Sequence, residues 1–153
     1  MVDLNVFNKE IARPGPFAGA TTDARGDTAG TGNPKTIFTV TGDVLVRVFG
    51  VCTVDLAGAT GTVSVGVTGN TAALIALETA TEIDVGGIYV SATQVLGAVA
   101  LSSVTGPFVV VNGLDIIETV ATADITSGNI YYVCLWTPLS EDGKVQAAGN
   151  AGF

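Results

Sequence analysis

The run VLVRVFGVCTV, residues 44–54, leaves a chain of this kind few ways to fold. Valine and threonine recur along it, and a branch at Cβ restricts χ1 in a helix while it suits a pleated strand. Its even positions are Val44, Val46, Val48, Gly50, Cys52 and Val54, and its odd positions are Leu45, Arg47, Phe49, Val51 and Thr53. Both sets are largely apolar, so the pattern predicts a strand covered on both sides. One cover is the core. The other is expected to be a neighbouring subunit or a folded-back N-terminal arm.

The same texture continues along the body. TIFTVT (36–41) is β-branched and aromatic, and Gly42-Asp43 interrupts it. TVSVGV (62–67) alternates, with Val63, Val65 and Val67 predicted inward and Thr62, Ser64 and Gly66 outward. Residues 44–54 and 62–67 read as one hairpin, and FVVVN (108–112) with DIIETVATA (115–123) as a second. Residues 71–83, TAALIALETATEI, suit a short helix or a strand with a loop. IYYVCLWTPL (130–139) is the last strong strand, and the polar tail after it carries no strand signal. Seven or eight short strands with frequent turn residues predict an all-β domain, a β-sandwich or jelly-roll-like fold, over residues 36–153.

Residues 1–35 read differently. Pro14, Pro16, Gly30, Gly32 and Pro34 punctuate a segment rich in Gly, Thr and Ala. Large apolar side chains are sparse, and the composition predicts a flexible, extended N-terminal arm that does not fold alone. Fixing ten residues costs on the order of 10–20 kcal/mol of backbone entropy. Offsetting that takes roughly 400–800 Å² of apolar burial at about 25 cal/mol per Å². The expectation is an arm that orders on a neighbouring subunit, with Phe7, Ile11 and Phe17 as anchors.

Charge narrows the partners. Six basic residues stand against fourteen acidic ones, a net charge of −8. Such a balance is poorly made for neutralising phosphates, so neither nucleic acid nor an anionic membrane is an expected partner. Charged residues make up 13% of the chain, against about 25% in ordinary soluble domains. Few charges hold copies apart, which favours a surface covered by partners. Mean hydropathy is +0.55, yet no apolar run nears the roughly 20 residues that span a bilayer. The start, MVDLNVFNKE, does not read as a signal peptide.

Catalytic chemistry finds little footing. There is no histidine, so nucleophiles activated by imidazole are excluded. TAGTGNPK (28–35) lacks the phosphate-loop pattern and precedes a strand rather than a helix. Glu78, Glu82, Asp84, Glu141 and Asp142 offer carboxylates for acid–base work or calcium, but in turn-like or ambiguous segments without an EF-hand pattern. Asp115 and Glu118 read as exposed or edge charges of a strand. Cys52 and Cys134 lie within apolar runs and read as buried free thiols, or as a disulfide if their strands are neighbours. No enzyme activity, metal or cofactor is expected. Arg47, the single cation of the most apolar strand, is either a snorkelling side chain or one half of a salt bridge within or between subunits.

Three segments carry a resemblance: KTIFTVTGDVLVRVFGVCTVDL (35–56), GVTGNTAALIA (66–76) and IYYVCLWTPLSEDGKVQAA (130–148). Their texture resembles that of small virion proteins of tailed bacteriophages, in particular head-decoration, or cement, proteins. The resemblance implies a β-rich structural protein, often a homotrimer, made in the host cytoplasm and seated on the outer capsid surface. There it would clamp neighbouring major capsid subunits against the pressure of packaged DNA. No site residue carries over from that resemblance. From the residues themselves, the expected capsid or subunit contacts are Phe7, Arg13, Phe17, Arg25, Lys35 and Arg47. Another virion part (tail, neck or fibre base) and a carbohydrate-binding sandwich are the alternatives.

Overall fold

The computed structural model describes residues 7–91, 94–100 and 103–149. Among these residues eleven strands form two antiparallel sheets that face each other. The front sheet runs β1 (Asn8–Ala12), β10 (Ser127–Pro138), β3 (Val44–Ala57), β6 (Gly87–Tyr89) and β7 (Val95–Leu96), with β8 (Phe108–Val110) also paired to β3. The back sheet runs β11 (Lys144–Ala147), β2 (Lys35–Thr41), β9 (Ile116–Ala121), β4 (Thr62–Val67) and β5 (Asn70–Thr79). The all-β, sandwich-like expectation holds.

The core lies between the sheets and follows the two-residue period of the strands. Val44, Val46, Val48 and Cys52 point inward from β3, and Ile130, Tyr132 and Cys134 from β10. Phe38, Val63, Val65, Ile116 and Val120 meet them from the back sheet. Both thiols are free and buried. They are not cross-strand neighbours, since Cys52 pairs with Ile130 and Cys134 with Val48.

Neither expected hairpin forms. β3 pairs with β10, β6 and β8, whereas β4 pairs with β5 and β9. The valines of β3 and β4 lie on facing sheets and bury each other, which side-by-side pairing in one sheet would not allow. β8 and β9 likewise belong to different sheets. Between them Asn112 and Gly113 both take positive φ, 57° and 63°. The Asn112 N–H donates to Asp43 Oδ1 and the Gly113 N–H to the Gly42 carbonyl, so the chain is pinned as it crosses. Residues 71–83 resolve into strand β5 followed by a 3₁₀ turn, Ala80–Glu82. The polar tail supplies β11, which pairs with β2.

The N-terminal segment departs furthest from expectation. Residues 1–6 lie outside the described residues; from Asn8 onward the chain is folded against its own sandwich. β1 pairs with β10 in register from Asn8↔Trp136 to Ala12↔Tyr132. Ala12 and Phe17 belong to the core. The N–H groups of Phe17 and Gly19 donate to the Gly128 and Ile125 carbonyls, and the Ile125 N–H donates to Gly26. The Asn33 side chain exchanges two hydrogen bonds with the Val120 backbone. Composition alone does not contain the contacts that hold this segment: backbone hydrogen bonds to residues 120–130 and the Arg25–Glu118 ion pair.

Candidate interaction face

Glu118 lies in β9 between Ile116 and Val120 on the inward face. Its carboxylate is 1% exposed and accepts from Arg25 Nε at 2.8 Å and Arg25 Nη2 at 2.5 Å. The Tyr132 hydroxyl donates to it at 2.5 Å. Arg25 also donates to the carbonyls of Gly15 and Ile130, and its guanidinium lies 3.9 Å from the centroid of the Phe17 ring. Burial opposes the charge on Arg25, but Glu118 beside it holds the guanidinium above its usual pKa. Burial, then the charge on Glu118, pushes the Tyr132 phenol well up. The cluster is closed off from solvent, and its evident work is to lock residues 13–34 to the sandwich. The reading of Glu118 as an exposed or edge charge is therefore corrected. Its alternation with Ile116 and Val120 was the signal that it points inward.

The outer faces of the two sheets differ in chemistry. On the back sheet the ladder registers place Thr39, Thr41, Lys144 and Gln146 outward and exposed; Thr62, Ser64, Thr119 and Ala121 share that side, but Thr62 and Ser64, expected outward, are buried there. Small hydroxyl side chains dominate. On the front sheet the outward rows are Val109–Leu45–Thr137, Arg47–Leu135–Lys9, Phe49–Val133–Ile11 and Val95–Ile88–Val51–Tyr131. These rows are predominantly apolar. Val109 is 61% exposed, and Leu45, Phe49, Val51 and Leu135 are half-buried. Arg47 Nη1 donates to the carbonyl of buried Val104 at 2.9 Å, which brings the segment before β8 against the face. Arg13 lies over the Tyr131 ring, 5.2 Å from its centroid.

The six residues singled out from sequence thus separate. Arg13 and Arg47 both lie on the front face, Arg47 in the row of Leu135 and Arg13 over Tyr131, two rows away. Phe17 and Arg25 are buried within their own chain, so they do not serve as contacts for another subunit. Lys35 opens β2 opposite Glu118 in the ladder, and Phe7 is half-buried just ahead of β1. Lys9, exposed on the front face, was not singled out because β1 itself was not foreseen.

An open depression of about 500 Å³ lies at one end of the sandwich, lined by Gly42, Asp43, Asn112, Ser140 and Asp142 among others. Its polar groups largely satisfy one another: Ser140 Oγ accepts from the Asp43 N–H and donates to Asp142 Oδ1. Among the described residues no three acidic or thiol side chains gather as a metal-binding group, and no helix is long and apolar enough to cross a membrane. Compared with protein-family models, with curated proteins and with solved structures, the chain finds no match in any of the three.

Proposed function

We propose that this chain is a structural subunit of a tailed-bacteriophage particle. In this reading it binds the outer surface of the capsid and stabilises it by bridging neighbouring major capsid subunits. The observation that carries the proposal is the outer face of the front sheet, where Leu45, Phe49, Val51, Ile88 and Leu135 lie half-exposed and Val109 exposed on a chain with few charges. An apolar sheet face of that extent is completed by contact with another protein surface. The texture of residues 35–56, 66–76 and 130–148 supplies the choice of a virion as that surroundings. Further copies of the chain, as a homotrimer, and the major capsid protein are the partners this reading names. The sequence lacks histidine and with it the commonest general base, in keeping with a role in assembly rather than catalysis.

The test is the protein content of purified particles. Mass spectrometry should find this chain in fixed ratio to the major capsid protein, and cryo-electron microscopy should place it on the outer shell. Density on the tail, neck or fibre base would move the assignment to another virion component. Absence from the particle would overturn the proposal. In the genome, adjacency to portal, protease and major capsid genes is the expected neighbourhood.

A further inference from the structure

Asn112 is the one asparagine of the sequence that is followed by glycine. An asparagine side-chain amide is open to attack by the next backbone nitrogen, and the bulk of the following side chain is the main obstacle. Val6, Thr71 and Ile130, all branched at Cβ, follow Asn5, Asn70 and Asn129, while Lys9 and Ala151 follow Asn8 and Asn150. Pro34 after Asn33 has no N–H to give up. Gly113 leaves the way open. The fold puts this dipeptide at the crossing from β8 to β9, on the rim of the end depression, with Asn112 exposed and both residues at positive φ. We infer that Asn112 is a site of spontaneous covalent modification, deamidation through a cyclic imide, and that the clasp between residues 42–43 and 112–113 sets its rate. This holds whatever particle the chain belongs to.

The chemistry needs water alone. The Gly113 nitrogen gives up its proton and forms a bond to Asn112 Cγ. The Cγ–Nδ2 bond breaks, and ammonia leaves carrying that proton. Water then opens the five-membered imide at either of its two carbonyls. One opening gives aspartate. The other gives isoaspartate, whose main chain runs through Cβ and Cγ and is one carbon longer. Either product puts a carboxylate where a neutral amide stood.

Folding holds the reacting nitrogen back. The Gly113 N–H donates to the Gly42 carbonyl at 3.0 Å, and the Asn112 N–H donates to Asp43 Oδ1 at 3.0 Å. Asp43 is itself held: its N–H donates to Ser140 Oγ, and its carbonyl accepts from the Leu139 N–H. The Gly113 nitrogen turns onto its neighbour's side chain only when this clasp opens, so the rate follows a local opening rather than global unfolding. The product acts back on the clasp. A new carboxylate beside Asp43, with Asp142 on the same rim, brings like charges together. The longer isoaspartate chain also puts the Gly113–Gly42 and Asn112–Asp43 bonds out of register. The crossing between the two sheets therefore loosens irreversibly as the protein ages.

The experiment keeps the full chain warm at mildly alkaline pH, native and in denaturant. Peptide mapping by mass spectrometry follows the gain in mass at residue 112 as an amide becomes a carboxyl. Asp142–Gly143 on the same rim can pass through a like imide, but without that change of mass, so the two are told apart. The native wild-type chain should convert at Asn112, about tenfold or more slower than in denaturant. Asp43→Ala removes one bond of the clasp and should convert about threefold or more faster than wild type while still folded by circular dichroism. Ser140→Ala, which removes the acceptor of the Asp43 N–H, serves in its place if Asp43→Ala does not fold. Purified converted protein should melt below the unconverted chain. Equal rates in native and denatured chains, or a wild-type rate in the folded clasp variant, would overturn the clasp as the control. No conversion of Asn112 in native protein, over a period in which the denatured chain converts fully, would overturn the site.

Discussion

Arg25 and Glu118 form a doubly hydrogen-bonded ion pair in the interior, across 93 positions of sequence, with side chains 4% and 1% exposed. A guanidinium and a carboxylate match as planar forks, so the pair fixes orientation as well as distance. Glu118 comes from the centre of the back sheet and Arg25 from the Gly- and Pro-rich N-terminal segment. Tyr132 donates to the same carboxylate from the front sheet. One buried acid thus ties both sheets and the N-terminal segment together.

Removing one member leaves the other charged and buried. Such half-removals cost about 3–5 kcal/mol, whereas replacing both with apolar groups is often close to neutral. Arg25→Met alone and Glu118→Leu alone should each lower stability by that amount in urea titration. The double variant should recover a large part of the loss. At this chain length each kcal/mol lowers Tm by about 2–4 °C. Additive losses in the double variant would show that the two residues act independently.

The same pair governs access to the N-terminal segment. Arg25 is 7% exposed, so trypsin reaches the Arg25–Gly26 bond only when the segment lifts away. In the free wild-type chain that bond should be cut far more slowly than the one after exposed Lys9. In Glu118→Leu it should be cut before any site in the body. Equal rates after Lys9 and Arg25 in the wild-type chain would contradict a docked segment.

Much of the sandwich was legible in the sequence because side-chain alternation is a local signal. The inward valines of β4 could be named from their spacing, whereas on β3 both faces read as covered and the pattern alone did not choose between them. Which strands pair was not legible, since two strands with equivalent inward valines satisfy a hairpin or a facing pair equally well by pattern. The N-terminal segment was misread for a related reason. Its docking depends on Arg25 reaching Glu118 and on backbone bonds to residues 120–130, contacts that no local window contains. The front face was half legible: the apolar odd positions of 44–54 were evident, but the place of Lys9 beside Leu135 depends on β1, which was not foreseen.

Acid should loosen the segment at a second point. Asp124 Oδ1 accepts from the Thr28 N–H at 2.9 Å and the Thr28 hydroxyl at 2.7 Å. These bonds favour the charged form and hold the carboxyl below its usual pKa. A pKa lowered on folding adds stability that is complete above the unfolded value of about 3.9 and is lost as pH falls through the folded value. Asp124→Asn should therefore be less stable than wild type at pH 7, and the gap should narrow below about pH 4. A gap of constant size across that range would rule out the linkage.

The thiols should be silent in the native state. Burial raises the Cys52 pKa to about 11, with the nearby charges of Asp55 and Asp84 adding to it. Burial pushes Cys134 higher still. Thiolate is the reactive form, so both should resist a thiol-specific reagent at pH 8 and react at once in denaturant. Rapid labelling of native protein at either position would place that cysteine outside the core.

Tyr89 should set the alkaline limit of the fold. It stands on β6 of the front sheet, and its hydroxyl lies 2.7 Å from the Val63 carbonyl and 2.9 Å from that of Ala76 in the back sheet. Its single proton bolts one sheet to the other. Tyr89→Phe removes that donor and leaves the two carbonyls short of a partner, a loss of about 1–3 kcal/mol. Burial, followed by the charges of Glu118 and Glu78, raises the phenol well above its ordinary pKa. A phenol that holds its proton more tightly when folded contributes in full below the unfolded value of about 10 and progressively less as pH rises beyond it. Tyr132 is raised in the same sense, so wild-type stability should fall steeply above pH 10, and less steeply in Tyr89→Phe. Ultraviolet titration should show phenolate appearing at these two positions only as the chain unfolds; reversible ionisation of both in the folded state would break the account.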